Sequence, residues 1–311
     1  MKLIDLHCDT ILRCIDSNGE IKLQKNDLCI DVQKLKKAGS LAQFFAMYVD
    51  LDKDFEPMDR CLDMIDNFYN EIEENSADIA FAGNIADMEK NRSEGRISAF
   101  LTVEEGGAIE GKLQNLRNLH RLGVRLITLT WNYPNCIGYP NFEWKHKDKG
   151  LTPFGEEVVA EMNRLGMIID VAHLSDKGFY DVAKLSSKPF VASHSNARAV
   201  EGHSRNLADD MLRVLAEKGG VTGINLEPIF LGNEGTVEAM TNQISHMRNV
   251  AGIDVIAIGT DFDGTSPLTA IKDIGCMGKL FDELKKAGFT AGEIDKISYK
   301  NAERVIREVL I

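Results

Sequence analysis

The feature that most constrains this chain is an alternation. Short β-branched or apolar runs recur at 3–7, 41–49, 98–103, 126–131, 167–172, 190–194, 220–226 and 255–260. Each has the length of a strand and is bounded by turn residues. Between most of them lie stretches with helical periodicity, at 59–74, 113–122, 153–165, 175–185, 207–218, 237–250 and 280–287, and a last one follows at 298–309. Thr152-Pro153 supplies an N-cap and a proline at the first helical position, and Gly123 and Gly166 stop their helices. Strands that alternate with helices pair in parallel, and eight such units over 311 residues predict an α/β fold, a closed (β/α)8 barrel of the TIM type. The near-continuous apolar texture of the runs fits strands buried on both faces. The competing arrangement is a doubly wound open sheet. No GxGxxG follows a strand and no P-loop is present, so nothing supports a nucleotide site. No linker or composition break divides the chain, and residues 1–311 read as one domain. The segment 132–150, NYPNCIGYPNFEWKHKDKG, is long for a strand-to-helix loop and reads as a lid over the barrel mouth.

Composition narrows the partners. Apolar residues at 44% and charged residues at 27% are the balance of a soluble globular enzyme. A net charge of −12 argues against nucleic acid and against an anionic membrane surface, both of which need a basic face. The six cysteines, Cys8, Cys14, Cys29, Cys61, Cys136 and Cys276, form no CxxC pair and read as reduced thiols. The chain opens into a strand without a signal-peptide pattern. It has no apolar run near the ~18 residues of a membrane span, and its end is amphipathic rather than a lipid-anchor tail. These features predict a cytoplasmic protein.

A (β/α)8 barrel presents the C-terminal ends of its strands on one face, where active sites sit. The first run, in IDLHCDT, ends at His7 with Asp9 two residues on, and extended backbone turns such a pair to one side. The third run ends at Glu104, the fifth at His173, the sixth at His194 and the eighth at Asp261. Each has a plain reading of its own: a hydrogen-bonded core histidine, a solvated turn at Glu104-Glu105, a turn or cap aspartate at Asp261 and Asp263. Together they carry more, because the fold brings all six to one ring. Of the other histidines, His120, His146 and His246 read as structural or solvated, and His203, in EGHSRN, is left unassigned.

Imidazole and carboxylate groups suit a divalent metal, and this set is too large for one four-coordinate ion. It divides between two. His7 and Asp9 hold one, His173 and His194 hold the other, and Glu104 bridges. Two ions about 3.5–4 Å apart turn a shared water into a nucleophile at neutral pH. Asp261, outside the ligand set, takes a proton from that water and delivers it to a leaving group. Two divalent ions are expected: Zn2+ suits these donors, and manganese or iron suits the same set.

HCDT, VEEGG, LGVRLITLTWN, LTPFGEEVVAEMNRLGMIIDVAHLS, SHSNARAV, HSRNLADD and IGTDFDG occur in this order. In them the chain resembles the renal (membrane) dipeptidase family, the M19 metallopeptidases, from Ile4 to at least Gly264. The resemblance implies a barrel with a binuclear zinc centre whose bridging hydroxide cleaves dipeptides, L,D as well as L,L, and it implies a homodimer. It places His7 and Asp9 in the HxD positions, and prefers Glu104 to Glu105 as the bridging carboxylate. It puts His173 and His194 at the second metal and Asp261 at proton transfer, with Asp263 structural. Arg205 takes the place of the arginine that receives the substrate carboxylate, a role that suits a planar fork. Trp131 departs from the pattern. It stands among the substrate-binding residues where animal members have a histidine. Those members also carry signal peptides and lipid anchors, so this chain resembles a cytoplasmic microbial type. Trp131 keeps two rival readings open: the same chemistry on an N-acyl or cyclic amide, and a metal-bearing barrel that binds a ligand without turnover.

Overall fold

The computed structural model describes residues 2–232, 235–265 and 270–310. Its strands are β1 (Leu3–Cys8), β2 (Ser40–Tyr48), β3 (Ile79–Phe81), β4 (Ile97–Glu104), β5 (Val124–Thr128), β6 (Ile168–Asp170), β7 (Val191–Ala192), β8 (Val221–Ile224) and β9 (Ile256–Ile258). The order runs β2-β1-β9-β8-β7-β6-β5-β4, and β4 returns to β2 over residues 98–104, so eight parallel strands close a barrel. Helices connect them on the outside. Thr152 Oγ1 accepts the Gly155 N–H at 2.9 Å to open Pro153–Leu165, and Gly166, at φ +69°, closes it.

The structure adds a strand to the eight expected. Only three residues long, β3 pairs with residues 97–99 of β4 and leaves residues 101–104 to β5. A run this short between helices Pro57–Glu74 and Ile85–Ser93 has too few positions for an alternation to register.

Two apolar layers hold the barrel. The inner layer takes Ile4 and Leu6 from β1, Phe44 from β2, Phe100 from β4, and single residues from the strands beyond. Phe44 and Phe100 stack at 4.6 Å. The terminal helix Asn301–Val309 packs its Ala302, Val305, Ile306 and Val309 into this layer, which seals the end opposite the strand C-termini. The outer layer lies between strands and surrounding helices. Among the described residues no helix is long and apolar enough to cross a membrane.

Local backbone irregularity aims the first strand. Asp5 pairs with Gln43 and Cys8 with Phe45, three steps on β1 against two on β2. That is a β-bulge, which sets two residues opposite one and re-aims a side chain. Leu6 faces the barrel interior, and the extra residue turns His7 inward beside it. Asp9 has left the strand altogether (φ −105°, ψ 20°) and opens the helix Thr10–Asp16. The expected shared side of His7 and Asp9 therefore arises from a bulge and a turn, not from strand pleating.

Backbone hydrogen bonds anchor the segment 132–150. The Asn141 N–H donates to His173 O at 2.8 Å and the Ser175 N–H to Tyr139 O at 2.9 Å. These bonds tie it to the stretch that carries His173.

Candidate active site

The six side chains singled out at the strand ends meet at the C-terminal mouth. Glu104, the last residue of β4, sits between two groups. Its Oε2 lies 3.2 Å from His7 Nε2, and its Oε1 lies 3.1 Å from His173 Nε2 and 3.6 Å from His194 Nε2. Asp9 Oδ2 is 3.4 Å and Asp261 Oδ1 3.7 Å from His7 Nε2. Asp9 is the N-cap of its helix, yet its carboxylate makes no cap hydrogen bond and points to His7 instead.

Outer hydrogen bonds set the histidine tautomers. Asp170, inside the barrel, accepts from Thr128 Oγ1 at 2.6 Å and from Ser193 Oγ at 2.5 Å. The hydroxyl proton of Ser193 is thereby committed, so its oxygen, 2.8 Å from His194 Nδ1, accepts the proton carried there. Asn132 Oδ1, 3.3 Å from His173 Nδ1, accepts from that ring in the same way. Both imidazoles therefore present Nε2 as a lone pair, and these two nitrogens stand 3.0 Å apart. Gly223 and Gly259 make room for this arrangement. A methyl at either would meet Ser193 O, at 1.9 and 1.7 Å.

The electrostatics follow from burial and charge. Burial, with Arg205 and His7 nearby, holds His173 and His194 well below the ordinary imidazole range, so both stay neutral. Burial also opposes charging of His7, but the Glu104 and Asp9 carboxylates outweigh it and raise its pKa. Burial lifts Glu104 to about 7 and Asp261 to about 6. Among the described residues, His7 Nδ1 and Nε2, Asp9 Oδ1 and Glu104 Oε1 are buried without a hydrogen-bond partner. Ligand atoms lie within 4.8 Å of one another in each of three groups: His7, Asp9 and Glu104; Glu104, His173 and His194; His7, His194 and Asp261. The neutral nitrogens of His173 and His194 and the unpaired carboxylate oxygens fit divalent metal ions, and the carboxylates that favour a proton on His7 would equally favour a cation in its place.

Glu105 faces away from this centre. Its carboxylate accepts the Gly107 N–H at 2.6 Å, the Trp131 N–H at 2.7 Å and an Asn135 amide proton, and so holds the loop that follows β5. Asp263 is likewise committed, to Thr10 Oγ1 at 2.6 Å and to the Cys29 N–H at 2.7 Å.

A cavity of about 560 Å³ opens over the centre and reaches Arg205, Trp131, Tyr48, His203, Glu227 and Phe230. Arg205 is 3% exposed and, among the described residues, has no carboxylate ion-pair partner; its Nη1 donates to Ala172 O and its Nη2 to His194 O at 3.3 Å. Asp261 is held by the Asn225 side-chain amide, which donates to its Oδ2 at 2.8 Å. Trp131 makes edge contacts with Tyr48 at 5.0 Å and Tyr133 at 5.6 Å and forms an aromatic wall beside His173. Tyr48, Asn132, Asn225 and the Asp170–Ser193 pair were not singled out in the sequence. Only Asp170 carried a signal there, as a carboxylate inside the apolar run MIIDVA.

The family model described as Membrane dipeptidase (Peptidase family M19) matches residues 1–310. The chain belongs to peptidase family M19. It is accordingly a metallo-dipeptidase, a hydrolase of peptide bonds. The structure of the dipeptidase AC, a metallo peptidase of family M19, superposes on this M19 chain with a TM-score of 0.93 at 27% identity, covering 100% of this chain and 99% of that one. A metallo peptidase from Rhodobacter sphaeroides, liganded with a phosphinate mimic of the dipeptide L-Ala-D-Ala, matches with a TM-score of 0.92 at 27% identity over 99% of each chain. An uncharacterized protein in the pqqA 5′ region of Klebsiella pneumoniae is 32% identical over 236 residues, 72% of the M19 chain and 86% of that relative.

Proposed function

We propose that this M19 enzyme hydrolyses dipeptides at a binuclear centre, with zinc as the ion, and that His7 and Asp9 hold one ion, His173 and His194 the other, and Glu104 both. One observation carries this reading. Two neutral imidazoles, their protons committed elsewhere, face each other through Nε2 lone pairs at 3.0 Å beside a Glu104 oxygen. Two lone pairs at that separation repel, and a cation between the donors removes the conflict. When bound, the ions supply Lewis-acid activation of the scissile carbonyl and of water.

The chain's own residues then have separate tasks. Asp261 accepts the proton of the attacking water and passes it to the leaving amine. Asn225 fixes which carboxylate oxygen of Asp261 faces the centre. Arg205, buried and without an ion pair among the described residues, receives the substrate's C-terminal carboxylate, and its fixed reach from the centre favours substrates of two residues. The phosphinate mimic of L-Ala-D-Ala bound by the Rhodobacter sphaeroides relative supports extending the substrate range to a D-residue at the second position. The wall of Tyr48, Trp131 and Phe142 favours a second reading, an N-acyl amino acid with an apolar acyl group.

A panel of L,L-dipeptides, L,D-dipeptides and N-acyl amino acids separates the two. The first reading expects cleavage of dipeptides with N-acyl amino acids poor, and the reverse order overturns it. On the preferred dipeptide, Arg205→Lys raises KM by about 10–100-fold with a smaller change in kcat, since a compact ammonium does not reproduce the two-pronged contact. An unchanged KM removes Arg205 from the carboxylate site.

A further inference from the structure

His203 lies outside every role assigned above, yet its side chain lines the cavity beside Arg205. Three contacts define its state. The Arg205 backbone N–H donates to His203 Nδ1 at 3.1 Å, so that nitrogen is the acceptor. The ring lies 4.7 Å from Phe230, and the Arg205 guanidinium lies 5.5 Å from that same ring. The tight turn around it is held by the His203 N–H donating to Glu201 O at 2.8 Å and the Asn206 N–H donating to His203 O at 3.1 Å. In a neutral imidazole with Nδ1 as acceptor, the proton resides on Nε2. Among the described residues no group accepts from that N–H. Burial and the Arg205 charge keep the pKa of His203 below the ordinary value, which preserves the neutral tautomer at pH 7.

We infer that His203 is a substrate-binding residue that donates its Nε2–H to the C-terminal carboxylate of the dipeptide, completing with Arg205 a carboxylate site backed by Phe230. The inference rests on the dipeptidase reading and deepens it. Arg205 gives up two of its five N–H groups to backbone carbonyls, and its Nε–H has no partner among the described residues. The three left can meet both carboxylate oxygens, and a carboxylate has about four lone-pair sites, so it accepts from a second donor on the same aromatic support as well. A neutral donor beside a buried guanidinium supplies that bond without a second buried charge.

The test compares a dipeptide with its C-terminal amide in metal-loaded enzyme. His203→Leu raises KM for the dipeptide by about 10–100-fold, the worth of one hydrogen bond to a charged group, and leaves kcat within about twofold. Its preference for dipeptide over amide falls by the same factor. His203→Gln, which keeps an amide N–H near the position of Nε2, recovers most of the loss. Equal losses on dipeptide and amide, or an unchanged KM, overturn the inference. Should His203→Leu fail to fold, 15N NMR of the wild-type histidines decides. The His203 resonances, assigned through His203→Gln, show a protonated Nε2 that shifts when a phosphinate dipeptide mimic binds, and a resonance that does not respond overturns the inference. A wild-type enzyme that cleaves no dipeptide defeats the dipeptidase reading itself, whereas normal wild-type cleavage without a selective loss in the variant counts against His203 alone.

Discussion

Asp261→Asn lowers kcat on a dipeptide by about 10²–10⁴-fold while metal content stays at the wild-type level. The size of the effect follows from what the substitution leaves alone. Asparagine matches aspartate in volume, and its carbonyl still accepts the Asn225 amide proton that now reaches Asp261 Oδ2 at 2.8 Å. The backbone at 261 has φ +61°, a left-handed conformation that asparagine tolerates as well as aspartate. What is lost is the proton site. Burial, with Asp9 adding to it, lifts the Asp261 carboxyl to about 6, close enough to neutrality for a group that must take and return a proton within one turnover. Steady-state kinetics, bound metal by mass spectrometry and a thermal melt on one preparation provide the check. Wild-type turnover with full metal would remove Asp261 from proton transfer.

Gly264→Ala is the second large effect, and it acts through Asp9. A methyl at Gly264 would lie 2.2 Å from Asp9 Oδ2 and 3.0 Å from Asp9 Cγ, with Asp261 Oδ1 next at 3.1 Å, so the severe clash is with Asp9. One of the two must move. The Asp9 carboxylate gives way, because its Oδ1 has no hydrogen-bond partner among the described residues and no cap bond holds it. The variant therefore folds but loses metal from the His7 side of the centre, and kcat/KM falls by about 10–100-fold or more. Gly278→Ala serves as control, since a methyl there meets nothing within 4 Å, and its activity stays at the wild-type level. A Gly264→Ala enzyme with full metal and normal kcat/KM would show that Asp9 is not needed where it stands.

The barrel was legible because its cause is periodic. Eight apolar runs alternating with helical stretches leave few ways to bury every strand on both faces, and the closed sheet meets that demand. The residues brought to the mouth were legible for a related reason. His7, Glu104, His173, His194 and Asp261 stand at or just past the ends of apolar strands, where a polar side chain has no core to join. What escaped was local or borrowed from distant parts of the chain. No alternation reveals the bulge that turns His7 inward, and the extended-strand argument reached the right neighbours by the wrong geometry. β3 is too short to carry a period. Asn132, Asn225, Ser193 and Tyr48 are ordinary polar residues in sequence, and only their three-dimensional partners give them work. The irregular composition of 132–150 suggests a lid, and no sequence pattern reveals that backbone hydrogen bonds tie it to 173–175 while Asn132 and Phe142 line the cavity.

The most direct test of the central claim measures metal per chain together with hydrolysis of one L,L- and one L,D-dipeptide, before chelation, after chelation and after metal is returned. The account predicts two ions per chain, cleavage that disappears when both are removed, and recovery on adding zinc. A chain that takes up no metal on reconstitution, or that cleaves dipeptides at an undiminished rate after complete removal, would contradict it.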